Sequence, residues 1–439
     1  MKLKNVLLYE TSAKNILTHL LGYCKMVYNI LLGGHDVEST KRTTKHSLNH
    51  NIKMYFGYST FSNLLILGPI LTLYYLEKGL SFTQIMFISS VSAIGTVIFE
   101  VPTGIMADRM GRKYSLMLNS LFWALTCLIY AISNNFYVFL IGEIFFSLGA
   151  AFGSGADSAL LYDALKSEER QDEYQKIEGR AMSYVFNSQA VGAVLAGYLY
   201  KVDSRLPFVV SLFFVLISIV FAYKFIEDPI PSGSEKNGGH NMKSYFKQFN
   251  AGFDVIKSNP KLLSTVITIA VLSICFRGSF PMYQPYMKAV DIDVVYFGWL
   301  FFIFNIVAAQ SSKFAHRVMK WTKSWTLVGM GLIIVASYLS MGVVKTSIGV
   351  FLICIQQLYR GMSRPIFYKY YNKRIPSELR ATVLSTISLM INLGIAAMMP
   401  LQGMLMDRVN IFEAHLVLGV LLLILLIPLE MWMRVTHKG

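Results

Sequence analysis

Gly104-Ile-Met-Ala-Asp108-Arg109-Met-Gly111-Arg112-Lys113 is a strongly charged turn between two long apolar runs, Phe82–Ala107 and Ser115–Ile132. Each run can cross a hydrocarbon layer of ~30 Å, which takes about 20 helical residues. A basic turn between two spanning helices marks a cytoplasmic loop. The same theme recurs along the chain. Apolar runs of spanning length predict six helices near residues 53–76, 82–107, 115–132, 136–164, 177–202 and 206–225. Six more are predicted near 262–287, 294–315, 325–344, 347–371, 379–406 and 411–433.

Composition agrees. The 439 residues are 54% hydrophobic and 15% charged, with mean hydropathy +0.49. A soluble domain carries about 25% charged residues, so the chain is a polytopic membrane protein. Its formal charge of +15 is spread over short loops. The natural partner of those loops is the anionic inner leaflet of the lipid bilayer, not nucleic acid. The four cysteines, Cys24, Cys127, Cys275 and Cys354, are scattered without metal-ligand spacing and are read as packing residues. No metal and no cofactor is expected.

Lys and Arg orient the chain. With both ends cytoplasmic, six of the forty basic residues fall in external loops and three arginines fall within spans, leaving thirty-one cytoplasmic. Five segments follow. Residues 1–52 form a basic cytoplasmic extension, read as dispensable, with Met54 as an alternative start. Residues 53–225 and 260–433 form two six-helix bundles, and 434–439 a short cytoplasmic tail. Residues 226–259 link the bundles, with an amphipathic helix over Lys243–Lys257. The halves repeat: Val138-Phe-Leu-Ile141 returns as Val350-Phe-Leu-Ile353, and Glu178-Gly-Arg180-Ala181 as Glu378-Leu-Arg380-Ala381. These offsets fit a duplicated bundle in parallel arrangement.

The pattern G-x-x-x-D-R-x-G-R-K between a second and a third spanning helix resembles the signature loop of the major facilitator superfamily of secondary transporters, drug-efflux-like branch. The resemblance covers about Met54 to Met433. It implies an all-α membrane protein of twelve transmembrane helices in two pseudo-symmetric six-helix bundles around a central cavity. It also implies that Gly104, Asp108, Arg109, Gly111, Arg112 and Lys113 belong to a conformational latch. Asp108 would face the N-terminus of the eleventh helix, at the turn opened by Pro376-Ser377-Glu378, and Arg112 would pair with Asp163. A helix N-terminus carries about half a positive charge, which suits Asp108. The stretch Gly403-Met-Leu-Met-Asp407-Arg408 repeats the first half of the pattern at an external helix end. Lacking the G-R-K, it is read as coincidental.

Within the fourth span, Glu143, Ser147, Ala150, Ser154 and Asp157 recur at helical spacing and form one small, polar face. Intramembrane carboxylates are costly and are functional candidates, so Glu143 and Asp157 are the proton-coupling candidates. The tenth span carries Gln357, Arg360, Arg364 and Tyr368 on one face, and the seventh adds Arg277 and Gln284. In the resembled fold these helices line the cavity, which makes Arg277, Gln284, Gln357, Arg360 and Arg364 the substrate candidates. An acidic wall would then oppose a basic one. Tyr74, Tyr75, Tyr283 and Tyr286 are read as interface anchors.

The expected activity is alternating-access transport of a small molecule across the cell inner (plasma) membrane by a functional monomer, without enzymatic chemistry. Proton-coupled efflux of an amphipathic compound is the first reading. Proton-linked uptake of a small anionic or zwitterionic solute is the second. A polytopic membrane enzyme or a sensor is a remote third.

Overall fold

The computed structural model describes residues 45–227, 242–372, 374–375 and 379–438, apart from a few side chains that include Asp108. The expected extension up to residue 44, most of the linker loop, and the turn at Pro376-Ser377-Glu378 lie outside the described residues. So does the expected contact of Asp108.

The described residues are helical, with short 3-10 turns and no strand. The first bundle holds α1 (in two pieces, Lys45–Ser62 and Leu71–Glu77), α2 (Phe82–Met110) and α3 (Arg112–Ile132). It continues with α4 (Phe136–Gly153 and Ala156–Lys166), α5 (Tyr174–Val202) and α6 (Leu206–Tyr223). The linker helix is Met242–Ser258. The second bundle holds α7 (Pro260–Ser279 and Tyr283–Ala289), α8 (Phe297–Thr322) and α9 (Thr326–Val343), then α10 (Ile353–Asn372), α11 (Arg380–Arg408) and α12 (Ile411–Lys438).

Among the described residues eight stretches are long and apolar enough to cross a membrane, and between them they take in nine of these helices. The three left over are α1, α5 and α10. Their polar residues explain the shortfall: α5 carries Glu178, Asn187 and Gln189, and α10 carries Gln356, Gln357, Arg360 and Arg364. Helices of that composition belong in a bundle interior or beside water, where lipid does not touch the charged face.

Three helices are discontinuous, and each break has a local cause. Gly68-Pro69 interrupts α1, since proline supplies no N–H to the helical ladder. Pro281 sits in the 3-10 turn that splits α7 at the pseudo-equivalent place. In α4 the chain turns at Ser154–Gly155, where Gly155 takes a left-handed φ of 75°. This last break corrects the sequence reading: the single polar face expected from Glu143 to Asp157 ends at Ser154, and Asp157 opens a separate short helix.

The first helix also starts earlier than expected, at Lys45. Leu48 is buried, and Asn51 exchanges two hydrogen bonds with Ile226, Nδ2 to its carbonyl at 2.8 Å and Oδ1 from its N–H at 3.0 Å. The four tyrosines read as interface anchors are instead buried inside the bundles. Tyr74 donates to the Tyr130 carbonyl at 2.7 Å, Tyr283 to Gln356 at 2.6 Å and Tyr286 to the Val344 carbonyl at 2.7 Å. The linker helix lies against α11, and Ile256 on that side is fully buried.

Candidate functional site

The two bundles meet along α2 with α11 and along α5 with α8. One face of the molecule carries residues 104–113 and is called here the signature face. On the opposite face three contacts tie the bundles together. Gln284 of α7 reaches into the break in α1, where its Oε1 accepts the Leu73 N–H at 3.0 Å and its amide donates to the Gly68 carbonyl at 2.8 Å. Asp407, at the end of α11, accepts the N–H groups of Phe82 and Thr83 at 2.7 and 2.9 Å and the Thr83 hydroxyl at 2.6 Å. Lys201, at the end of α5, is 2.8 Å from Asp293.

The surroundings of the two ends of α2 differ. A Cβ added at Gly403 would come within 2.6 Å of Thr83 Cα, whereas one added at Gly104, at the other end of α2, would meet nothing within 4 Å. The described contacts between the bundles therefore gather on the opposite face.

The turn at 104–113 is tied down inside its own bundle. Gly111 has a φ of 95°, which frees the N-terminus of α3 to bind an acid. Glu227 fills it: its two carboxylate oxygens accept the Arg112 and Lys113 N–H groups at 2.8 and 3.0 Å. A negative charge there also complements the helix dipole. The side chain of Arg112 lies 3.4 Å from Asp163. Arg109 is exposed, and Lys113 lies over the Tyr223 ring with its ammonium 4.8 Å from the ring centre. Glu227 has no counterpart in the sequence reading, because nothing local marks a linker acid as the cap of a helix more than a hundred residues earlier.

The carboxylates occupy two separate places. Glu143 is buried between α3 and α4, where it accepts a short hydrogen bond from Tyr130. The ring of Tyr130 lies 5.8 Å from that of buried Tyr75. Glu143 is thus enclosed in the first bundle and faces neither Arg277 nor Arg360, so the expected opposition of acidic and basic walls is absent for it. Asp157 sits on the signature-face side of α4. Its Oδ1 accepts the Ser158 N–H at 2.7 Å, and the Ser158 hydroxyl is 3.3 Å from Glu178 of α5. Glu178 also accepts from Tyr55 at 2.7 Å. Among the described residues none of Glu143, Asp157 and Glu178 forms an ion pair. Glu178 was read from the sequence only as part of the internal repeat. Glu100, exposed within α2, was missed, although a carboxylate eighteen residues into an apolar run is a signal in its own right.

The basic residues line the other half. Arg277 and Arg360 are exposed and follow directly on Phe276 and Tyr359, whose rings pack 5.0 Å apart across α7 and α10. Arg360 donates to Asn305 at 3.0 Å and to Gln357 at 3.3 Å, and Gln357 in turn donates to the Tyr283 hydroxyl at 3.3 Å. Arg277 makes no hydrogen bond or ion pair among the described residues. Exposed guanidinium groups within a membrane-spanning helix call for water rather than lipid beside them. Arg364 lies over Tyr368, nearer the signature face, with 5.7 Å between guanidinium carbon and ring centre. Gln284, by contrast, is buried, and both ends of its amide are engaged in the α1 bridge.

Comparison with known proteins agrees with this architecture. A family model described as Major Facilitator Superfamily matches residues 54–397. The chain is 23% identical over 359 residues to the uncharacterized MFS-type transporter YxaM of Bacillus subtilis, covering 79% of this chain and 86% of that one. It is 20% identical over 343 residues to the quinolone resistance protein NorA of Staphylococcus aureus, covering 73% and 80% respectively. Among solved structures, the nucleoside transporter NupG superposes with a TM-score of 0.69 at 12% identity, covering 90% of this chain and all of that one. A bacterial homologue of the lysosomal transporter Spinster, in an inward-facing, unoccupied conformation, superposes at 0.66 with 14% identity, covering 91% and 98%. With its signature loop, its twelve helices and its family match over most of its length, this chain belongs to the Major Facilitator Superfamily and is a membrane transporter, not an enzyme.

Proposed function

We propose that the signature face is cytoplasmic and that the protein exports an amphipathic small molecule in exchange for protons, by alternating access. The observation that carries the coupling is the set of intramembrane carboxyl groups with no basic partner among the described residues. An isolated carboxylate in a low-dielectric interior is costly, and a bound proton removes that cost. Asp157 and Glu178 lie toward the signature face, from which a proton can leave toward the cytoplasm. Glu143 lies nearer the opposite face and is shielded by Tyr75 and Tyr130. Efflux is supported by the similarity to NorA, and the orientation by the basic loops on the signature face. The test is flux in reconstituted vesicles under an imposed pH gradient. Glu143→Gln or Asp157→Asn is expected to lower proton-driven flux by ~10-fold or more while leaving substrate exchange measurable. Full proton-driven flux in both single variants and in the double variant would remove the coupling assignment.

A second reading, uptake of a small anionic or zwitterionic solute, is favoured by Arg277. A guanidinium without an ion pair among the described residues, close to a second one at Arg360, is suited to an anionic group, to which arginine can donate two parallel hydrogen bonds. On that reading Arg277→Gln with Arg360→Gln raises the KM for anionic solutes by ~10-fold or more and leaves neutral and cationic ones unchanged. Equal effects on all three charge classes would count against it.

A further inference from the structure

We infer that Asp407 is the anion of a second latch, which holds the opposite face shut and is a positioning residue for the alternating-access step. The pattern read as coincidental in the sequence is the one that makes the contact. Residues 403–408 and 104–109 share the spacing G-x-x-x-D-R. The first closes the C-terminal end of α11 and the second that of α2, two helices that pack against each other in opposite directions. In the described structure the α11 copy is engaged. Asp407 accepts both leading N–H groups of α2, while Ser81 and Gln84 exchange a reciprocal capping pair on the same turn. The first turn of a helix has no internal acceptors for its N–H groups, so this turn is capped jointly from its own chain neighbours and from the other bundle. The cross-bundle part of that cap breaks when the faces part.

Pseudo-symmetry supports a designed contact. Gly403-x-x-x-Asp407 in α11 matches Gly197-x-x-x-Lys201 in α5, 206 residues earlier. The glycine of each pair meets matching backbone: Gly403 lies against the Phe82 carbonyl and Thr83 Cα, and Gly197 against the Val294 carbonyl and Val295 Cα, 212 residues apart. The charged residue four places on then seals each crossing, Asp407 on the α2 N-terminus and Lys201 on Asp293. The two seals differ in character. Lys201 and Asp293 are both exposed, and the ammonium holds the Asp293 carboxyl below its ordinary range. That contribution is present at neutral pH and is lost as pH falls through the carboxylate range. The Asp407 seal, also exposed, uses three hydrogen bonds to the N–H groups and a hydroxyl at a helix end.

The experiment is double electron–electron resonance on the full chain in nanodiscs, with the native cysteines replaced by serine. One spin-label pair, Asn134→Cys with Thr346→Cys, reports the opposite face; another, Lys166→Cys with Lys369→Cys, reports the signature face. Asp407→Asn is expected to shift the closed-to-open ratio of the opposite face by at least tenfold, a change of ~1.4 kcal/mol, with the signature-face pair moving closer. Gly403→Val should do the same, since its Cβ would press on rigid backbone, and Asp407→Glu should keep the closed state. Unchanged distances in both Asp407→Asn and Gly403→Val would overturn the proposal. So would a loss of thermal stability with no change in the balance between faces, which would make Asp407 a structural cap only.

Discussion

Replacing Gly298 by leucine is expected to abolish transport, with a loss of ~100-fold or more, while the protein still inserts. Gly298 opens α8 where that helix crosses α5, and a side chain there would fall on the Ala193 carbonyl, 2.6 Å from its carbon and 2.8 Å from Val194 Cα. All of these are backbone atoms, so no rotamer change relieves the clash. Gly197 on the facing helix is placed the same way, 2.8 Å from Val295 Cα. Small residues of this kind let spanning helices approach backbone to backbone. Filling the gap pushes the two bundles apart on the opposite face and removes the closed half of the cycle. Overpacking typically costs 1–3 kcal/mol, which is less than a multispan fold needs to survive but enough to invert a balance between two states. Gly329→Ala, where nothing lies within 4 Å of the added methyl, is the control. The check is flux per inserted molecule in vesicles; near-normal flux in Gly298→Leu would show that close α5–α8 contact is not needed.

A chain beginning at Met54 is expected to be poorly folded and inactive, whereas one beginning at Lys45 retains activity. This reverses the expectation drawn from the sequence, in which everything before Met54 was dispensable. The truncation removes half of the first piece of α1, and with it buried Leu48 and Asn51. Burying a leucine side chain stabilises by about 1.5–3 kcal/mol. Losing Asn51 also leaves the Ile226 N–H and carbonyl without their partners, at about 1–3 kcal/mol for each group that stays buried. His50 adds a 2.9 Å contact to the Lys224 carbonyl. Together these fasten the start of α1 to the exit of α6, where Glu227 goes on to cap α3. Size-exclusion profiles and flux of the two truncated chains decide the matter. Normal behaviour of the Met54 chain would mean that the clasp is ornamental.

What the sequence revealed and what it concealed divide along a physical line. The spans, the basic loops and the signature turn are local features, and each was legible from length, hydropathy and spacing. The breaks in α1 and α4 are marked by Gly68-Pro69 and Gly153-Ser154-Gly155, but helical spacing alone runs through the second and puts Asp157 on one face with Glu143, whereas it opens a separate helix. Tyr74 and Tyr286 sit at helix ends where interface anchors sit, and nothing in a one-dimensional pattern says which way a ring points. Asp407 reads as coincidental because its stretch lacks the G-R-K, and its partners, Phe82 and Thr83, lie over three hundred residues away, where no local pattern can show them. Glu227 escaped for the same reason. The sequence names Arg277 and Arg360 as candidates from their helices, while the enclosure of Glu143 by Tyr130 is a matter of packing alone.

The amide of Gln284 has a consequence for the solvent. It stands in for the helical hydrogen bonds that α1 forgoes at its break, satisfying a donor at Leu73 and an acceptor at Gly68 from across the bundle interface. Hydrocarbon offers nothing to such groups. Separating the faces there leaves an amide, an N–H and a carbonyl that only water or a polar cargo can satisfy. Opening is then in part a wetting reaction, whose equilibrium depends on water activity as well as on charge. Osmolytes too large to enter the crevice will act on it as a ligand of the closed form would, without touching the protein.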